Sequence, residues 1–202
     1  MSSGRSTSRH DRATVVDTAL RLLDEIGLPD LTMRRLAAEL DVQPSALYWH
    51  VENKQTLLAA VADRIQAAAR PSPSAALGWQ EAAAAEAVAI RDALLAYRDG
   101  AEVVLSTRAL GLGDDEAHRR LVSALERGHD SATAELAATA LLHLVFGDAT
   151  LVQQRLQADG LGVTSETVGL RPDATEADDE AFLTGVDLLL AGLELRSRVS
   201  SD

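Results

Sequence analysis

His143 and Asp148 come nearest in this sequence to the beginnings of an acid–base site, and their spacing works against them. On a helix a five-residue step turns two side chains about 140° apart. No hydroxyl or thiol nucleophile motif accompanies them. Cysteine is absent, which excludes disulfides, thiolate chemistry and thiolate metal sites and fits a reducing cytoplasm. His118, His129 and His143 lack metal-site spacing, so neither catalysis nor a resident metal or cofactor is expected.

A different chemistry is concentrated just past residue 43. Small Ser45 and Ala46 follow Pro44, and then come Tyr48, Trp49 and His50, which bring together half of the chain's four Trp and Tyr residues. If this stretch is helical, Leu47 and Val51 face one way and Ser45, Ala46, Trp49 and His50 the other. Small residues at a helix start let a backbone approach base edges, and an Ala or Ser side chain can touch a thymine methyl or an edge polar group. Core packing is the alternative for the aromatics, but three consecutive residues cannot all point inward. Lys54, the only lysine in the sequence, stands where a helix begins, a place suited to phosphate as well as to plain solvation.

The elements that must position these residues are helical. Val16, Ala19, Leu20, Leu23 and Ile26 recur at helical steps and Gly27 ends the run. Thr32 is placed to cap a second helix with Leu36, Ala37 and Leu40 on its buried side. After a break at Asp41-Val42-Gln43, Pro44 opens a third helix of about two turns. Asn53 can cap a fourth, striped by Leu57, Leu58, Val61 and Ile65, and Arg70–Ser74 breaks the pattern. Two short helices with a three-residue turn, buttressed by a third, make a helix-turn-helix.

Beyond the break, helices are expected at 77–98, 102–110, 115–127, 131–157 and 179–198, with 158–178 read as a long acidic mobile loop. The fold class is all-α, divided as a head over 1–56, a connecting helix over 57–70 and a helical core over 71–202. The stretch 131–157 is apolar nearly all round, and the last helix buries Phe182, Val186, Leu189, Leu190 and Leu193 beside small Gly185, Ala191 and Gly192. Both need covering on more than one face, by a second copy of the chain or by an intramolecular core. The net charge of −12 argues at first against a polyanionic partner. Residues 1–56, however, carry seven Arg/Lys against eight Asp/Glu, a net of −1, which leaves −11 on the rest. No apolar run is long enough to suggest a membrane span, and no secretion signal is apparent.

The runs Leu31–Val42 and Leu47–Lys54 resemble the DNA-binding signature of the TetR family of transcriptional repressors. The likeness continues at Tyr97–Ala101, Leu105–Arg108, His143 with Gly147, Phe182–Gly185 and Ala191–Glu194. It implies a homodimer that binds a palindromic operator in double-stranded DNA and is released by a small organic effector, with a four-helix dimer interface. By the resemblance Arg34, Pro44, Ser45 and Ala46 approach bases, while Thr32, Tyr48, His50 and Lys54 hold phosphates, with Trp49 displayed beside them. The effector would be lined by Glu86, Ile90, Val104, Thr107, Arg108, His143 and Leu151, though Arg108 and His143 could equally be buried structural groups. Where tetracycline-binding members use a histidine to hold a magnesium chelate, this chain has Val104, which offers no ligand atom. A ligand-independent or activator-type DNA-binding protein of the same fold is the alternative.

Overall fold

Local capping signals set most of the helix boundaries. The computed structural model describes residues 11–69, 77–160 and 174–199; these contain nine helices and no strand. α1 (Arg12–Ile26) begins at Asp11, whose carboxylate accepts from Thr14 N at 2.8 Å and from the Thr14 hydroxyl at 2.7 Å. Those bonds, the backbone one foremost, hold the Asp11 carboxyl below its usual range. A lowered value means the cap stabilises above the ordinary carboxylate range and is lost as pH falls through it. α1 ends at Gly27 (φ 81°), whose N–H donates to Leu23 O at 2.8 Å. Asp130 repeats the Asp-x-x-Thr cap at the start of α8 (Ser131–Gly160), accepting from Thr133 N at 3.1 Å.

The chain forms two units that interleave along the sequence: Met1–Ile65 with Tyr97–Asp114, and Gln66–Ala96 with Asp115–Asp202. In the first, α2 (Met33–Glu39) packs on α1 and on α3 (Pro44–Leu47). Val15, Val16, Ala19, Leu23, Leu36, Ala37, Leu47 and Val51 are buried. α3 is one turn long rather than the expected two. Past it, Trp49 N and His50 N donate to Ala46 O and Leu47 O, three residues back, so the second turn tightens instead of continuing as α-helix. α4 (Lys54–Ala67) then carries the chain from the first unit into the second.

The first unit also holds α6 (Gly100–Ala109). Asp99, buried and left-handed (φ 57°), accepts from Leu28 N at 2.6 Å, and Arg98 N donates to Asp24 Oδ1 at 3.0 Å. At the other end, Asp114 N donates to Asp63 Oδ1 on α4 at 2.6 Å.

The second unit packs α5 (Trp79–Leu95), α7 (Glu116–Leu125), α8 and α9 (Ala174–Val199) on one another. The expected loop 158–178 is a correction in part: α8 runs to Gly160 and α9 starts at Ala174, while 161–173, like 70–76, lie outside the described residues. Asp178 and Asp179, in the second turn of α9, pair with Arg155 and Arg91. Composition alone reads Asp178 as loop and opens the helix at Asp179.

A Cβ on Gly27 would sit 2.9 Å from Asp99 Oδ2, in a backbone region side chains avoid. Gly27→Ala is therefore expected to cost about 2 kcal/mol, read as a lowered denaturation midpoint. An unchanged midpoint would show that this junction is not close-packed.

Candidate functional site

Leu47 and Val51 anchor the short third helix to the core, so the side chains between and before them are turned outward. Pro44 and Ser45 are exposed and Ala46 half-buried. Trp49 is 89% exposed, Tyr48 53%, and His50 half-buried. An apolar ring left this open on a well-packed head has no role in the core of the chain. Thr32 Oγ1 accepts from Arg35 N at 3.1 Å as the α2 cap, and its own O–H remains available as a donor. Asn53 Oδ1 accepts from Thr56 N at 2.9 Å, so Lys54 stands at the first position of α4, among amides facing out of the helix end.

The cations of this head fall into two groups. Arg21 pairs with Glu25 and Glu39, and Arg64 with Asp17. Arg34, Arg35 and Lys54 have no carboxylate partner among the described residues. They lie on or beside the elements that display Tyr48 and Trp49, and their charge is left for an external anion. The net charge of −12 conceals this, because neutralisation is uneven.

Residues 15–61 match the family described as bacterial regulatory proteins, tetR family. The chain is 35% identical over 199 residues to the tetracycline repressor protein class D of Escherichia coli, across 94% of this chain and 91% of that one. The chain belongs to the TetR family. Among solved structures it is similar to BioQ with its double-stranded DNA operator, at 38% identity and a TM-score of 0.74 over 92% of this chain and 98% of that one. A TetR variant from Acinetobacter baumannii AYE in complex with minocycline is similar at 33% identity and a TM-score of 0.74, over 92% and 97%. Family membership makes this a DNA-binding transcription factor with an N-terminal helix-turn-helix domain, the segment that contains α2 and α3.

The residues expected to line an effector site are distributed as follows. In the first unit Val104 and Thr107 are buried on α6, where the Thr107 hydroxyl donates to its own helix (Val103 O, 2.9 Å), and Arg108 is half-buried. In the second unit Glu86 and Ile90 are buried on α5, whereas His143 and Leu151 are exposed on α8. His143 and Leu151 share an outward stripe with Leu136, Ala140 and Gly147 at three- and four-residue steps. Glu86 pairs with Arg120 of α7, a residue that no sequence motif singles out. No local spacing signals a pair 34 positions apart on different helices.

Asp148 is occupied elsewhere. Arg91 Nε donates to its Oδ2 at 2.5 Å, Arg91 Nη2 pairs with Asp179 at 2.8 Å, and the guanidinium lies 4.8 Å from the Phe182 ring centre. Burial alone would lower the Arg91 pKa; the hydrogen bonds to Asp148 and then Asp179 outweigh it and leave the value raised. His143 and Asp148 thus form no relay: one is exposed and the other is an ion-pair partner. Asp148→Ala strips a buried cation of its nearest counter-charge and is expected to cost roughly 3 kcal/mol in denaturant unfolding. A loss below about 1 kcal/mol would assign neutralisation of Arg91 to Asp179 instead.

Proposed function

We propose that this protein is a dimeric transcriptional repressor that reads a two-fold operator in double-stranded DNA and releases it when a small organic molecule binds the helical core. The observation that carries the reading is the surface around α3: exposed aromatics, small residues at a helix start, and Arg34, Arg35 and Lys54 without a carboxylate partner among the described residues. BioQ with its DNA operator and the TetR variant with minocycline support both halves of it, since relatives of this fold hold each class of ligand. The site of action is the cytoplasm, and no resident metal or cofactor forms part of the proposal.

Arg34, Pro44, Ser45 and Ala46 are proposed to meet base edges, and Thr32, Tyr48, His50 and Lys54 to fix the register on phosphates, with Trp49 beside them. Two heads are needed, because a two-fold operator presents equivalent groove faces about 34–36 Å apart. The means of pairing them is exposed Leu136 and Ala140 on α8 together with exposed Leu188 and Leu195 on α9, apolar surface that a second copy would cover as a four-helix interface. The proposed effector residues remain Glu86, Ile90, Val104, Thr107, Arg108, His143 and Leu151. An effector that alters the separation of the two heads by a few ångströms prevents both from docking at once. To turn a mostly bound population mostly free it must favour the released form by about 5.5 kcal/mol, shared by the two subunits.

Lys54→Ala is expected to weaken binding to all DNA sequences alike and to lower the slope of log K against log salt by about one for each phosphate that Lys54 neutralises. Changing Ala46 should instead alter which sequences are selected from a random duplex pool. An unchanged salt slope removes Lys54 from the interface, and uniform weakening by the Ala46 change removes that residue from base reading.

A further inference from the structure

The buried face of α5 is built from small apolar residues, Ala82, Ala83 and Ala87 with Ile90, and Glu86 is set among them at 9% exposure. A carboxylate in such a place needs a counter-charge. Arg120 supplies it: its Nη2 meets the enclosed Glu86 Oε2 directly. The same guanidinium has a second task. Arg120 Nη1 donates to Ala69 O at 2.9 Å, and Ala117 N donates to Gln66 Oε1 at 3.5 Å. α7 therefore grips the chain at residues 66–69, directly after α4 leaves the DNA-reading unit at Ile65.

We propose that the effector carries a cationic nitrogen, which takes the Glu86 carboxylate from Arg120 and so frees the guanidinium's hold on the Ala69 carbonyl. The proposal rests on the reading of this protein as effector-responsive and specifies the chemistry of that site. The sign of the charge follows from an asymmetry in what each exchange leaves behind. An anionic effector would take Arg120 and strand a short, enclosed carboxylate, which is costly. A cationic one leaves that carboxylate neutralised, while the long Arg120 side chain can carry its charge outward to water. The net charge of −12 also raises the local concentration of cations. Arg120 is then a positioning residue, which passes the exchange at Glu86 to the end of the helix that bears the head.

The test uses the full-length protein at neutral pH, a duplex it selects from a random pool, and three probes of one shape: naphthylmethylammonium, naphthylmethanol and naphthoate. Calorimetry is expected to show the ammonium binding about tenfold tighter than the alcohol, with naphthoate weakest, and only the ammonium lowering operator affinity strongly. Glu86→Gln should erase the preference for the cation and leave binding of the alcohol. Arg120→Gln should weaken operator binding without any probe, and Arg120→Lys, which keeps the charge but cannot bridge both partners, should do so partially. The inference is overturned if naphthoate binds as well as the ammonium, if the preference survives Glu86→Gln, or if Arg120→Lys and Arg120→Gln both bind operator as the parent does. Release of operator by the alcohol or naphthoate would sink the charge assignment and leave the effector reading standing. Failure of every probe to change operator affinity would remove the cationic site, and an unrelated compound that does release operator would still sustain the effector reading.

Discussion

Asp99 holds the reading unit together at a point the helix-turn-helix sequence does not reveal. Its backbone is left-handed, a conformation that costs a non-glycine residue about 1–3 kcal/mol, and its carboxylate accepts from Leu28 N at 2.6 Å just past the end of α1. That contact needs Gly27, since any Cβ there would collide with the carboxylate. Arg98 N on Asp24 and Asp114 N on Asp63 complete the attachment, so α6 is tied at its start to α1 and at its end to α4. Its residues Val104, Thr107 and Arg108 consequently belong to the same unit as α3. A disturbance of α6 is a disturbance of the scaffold that positions the reading surface.

In the second unit charge has the equivalent role. Arg91 draws α8 and α9 onto α5 through Asp148 and Asp179, Arg155 pairs with Asp178 at the start of α9, and Gln153 Nε2 donates to Leu94 O at 2.9 Å. The contacts of Arg91 with Asp148 and of Gln153 with Leu94 cross an interior otherwise lined with alanine and leucine, where unpaired charge is costly and paired charge fixes one packing, whereas Asp179 and the Arg155–Asp178 pair lie toward solvent. The apolar residues that this packing leaves outside, Leu136, Leu151, Leu188 and Leu195, lie on the same two helices. The long apolar stretch 131–157 is accordingly half core and half outward face, which accounts for its lack of a clear polar side.

Capping chemistry made the head readable from sequence. Thr32, Pro44, Asn53 and Gly27 each act within about one turn of chain, so their roles follow from neighbours a few residues away. The outward set of α3 followed from the rotation of Leu47 and Val51, even though the helix proved a turn shorter than expected. What depended on distant partners was not readable. Asp99 meets Leu28 across 71 positions, and Arg120 meets Glu86 across a different pair of helices. The sequence pattern opens the last helix at Asp179, five residues past its start at Ala174, because the arginines that pair with Asp178 and Asp179 lie on α8 and α5. Which small molecule the core accepts lies in such contacts, and only their charge pattern, not a motif, points to it.

Joined together, these features describe a protein in which operator DNA and a small molecule compete through one conformational equilibrium. Linkage requires that an effector which lowers operator affinity by a given factor has its own affinity lowered by operator by the same factor. The most direct measurement is calorimetric titration of an effector found by its release of operator, carried out on the free dimer and on the operator complex at matched salt. The account predicts a weaker effector affinity in the complex, by the factor measured for operator release. Equal affinities in the two titrations would contradict it, and would make the protein a DNA-binding member of this fold without effector control.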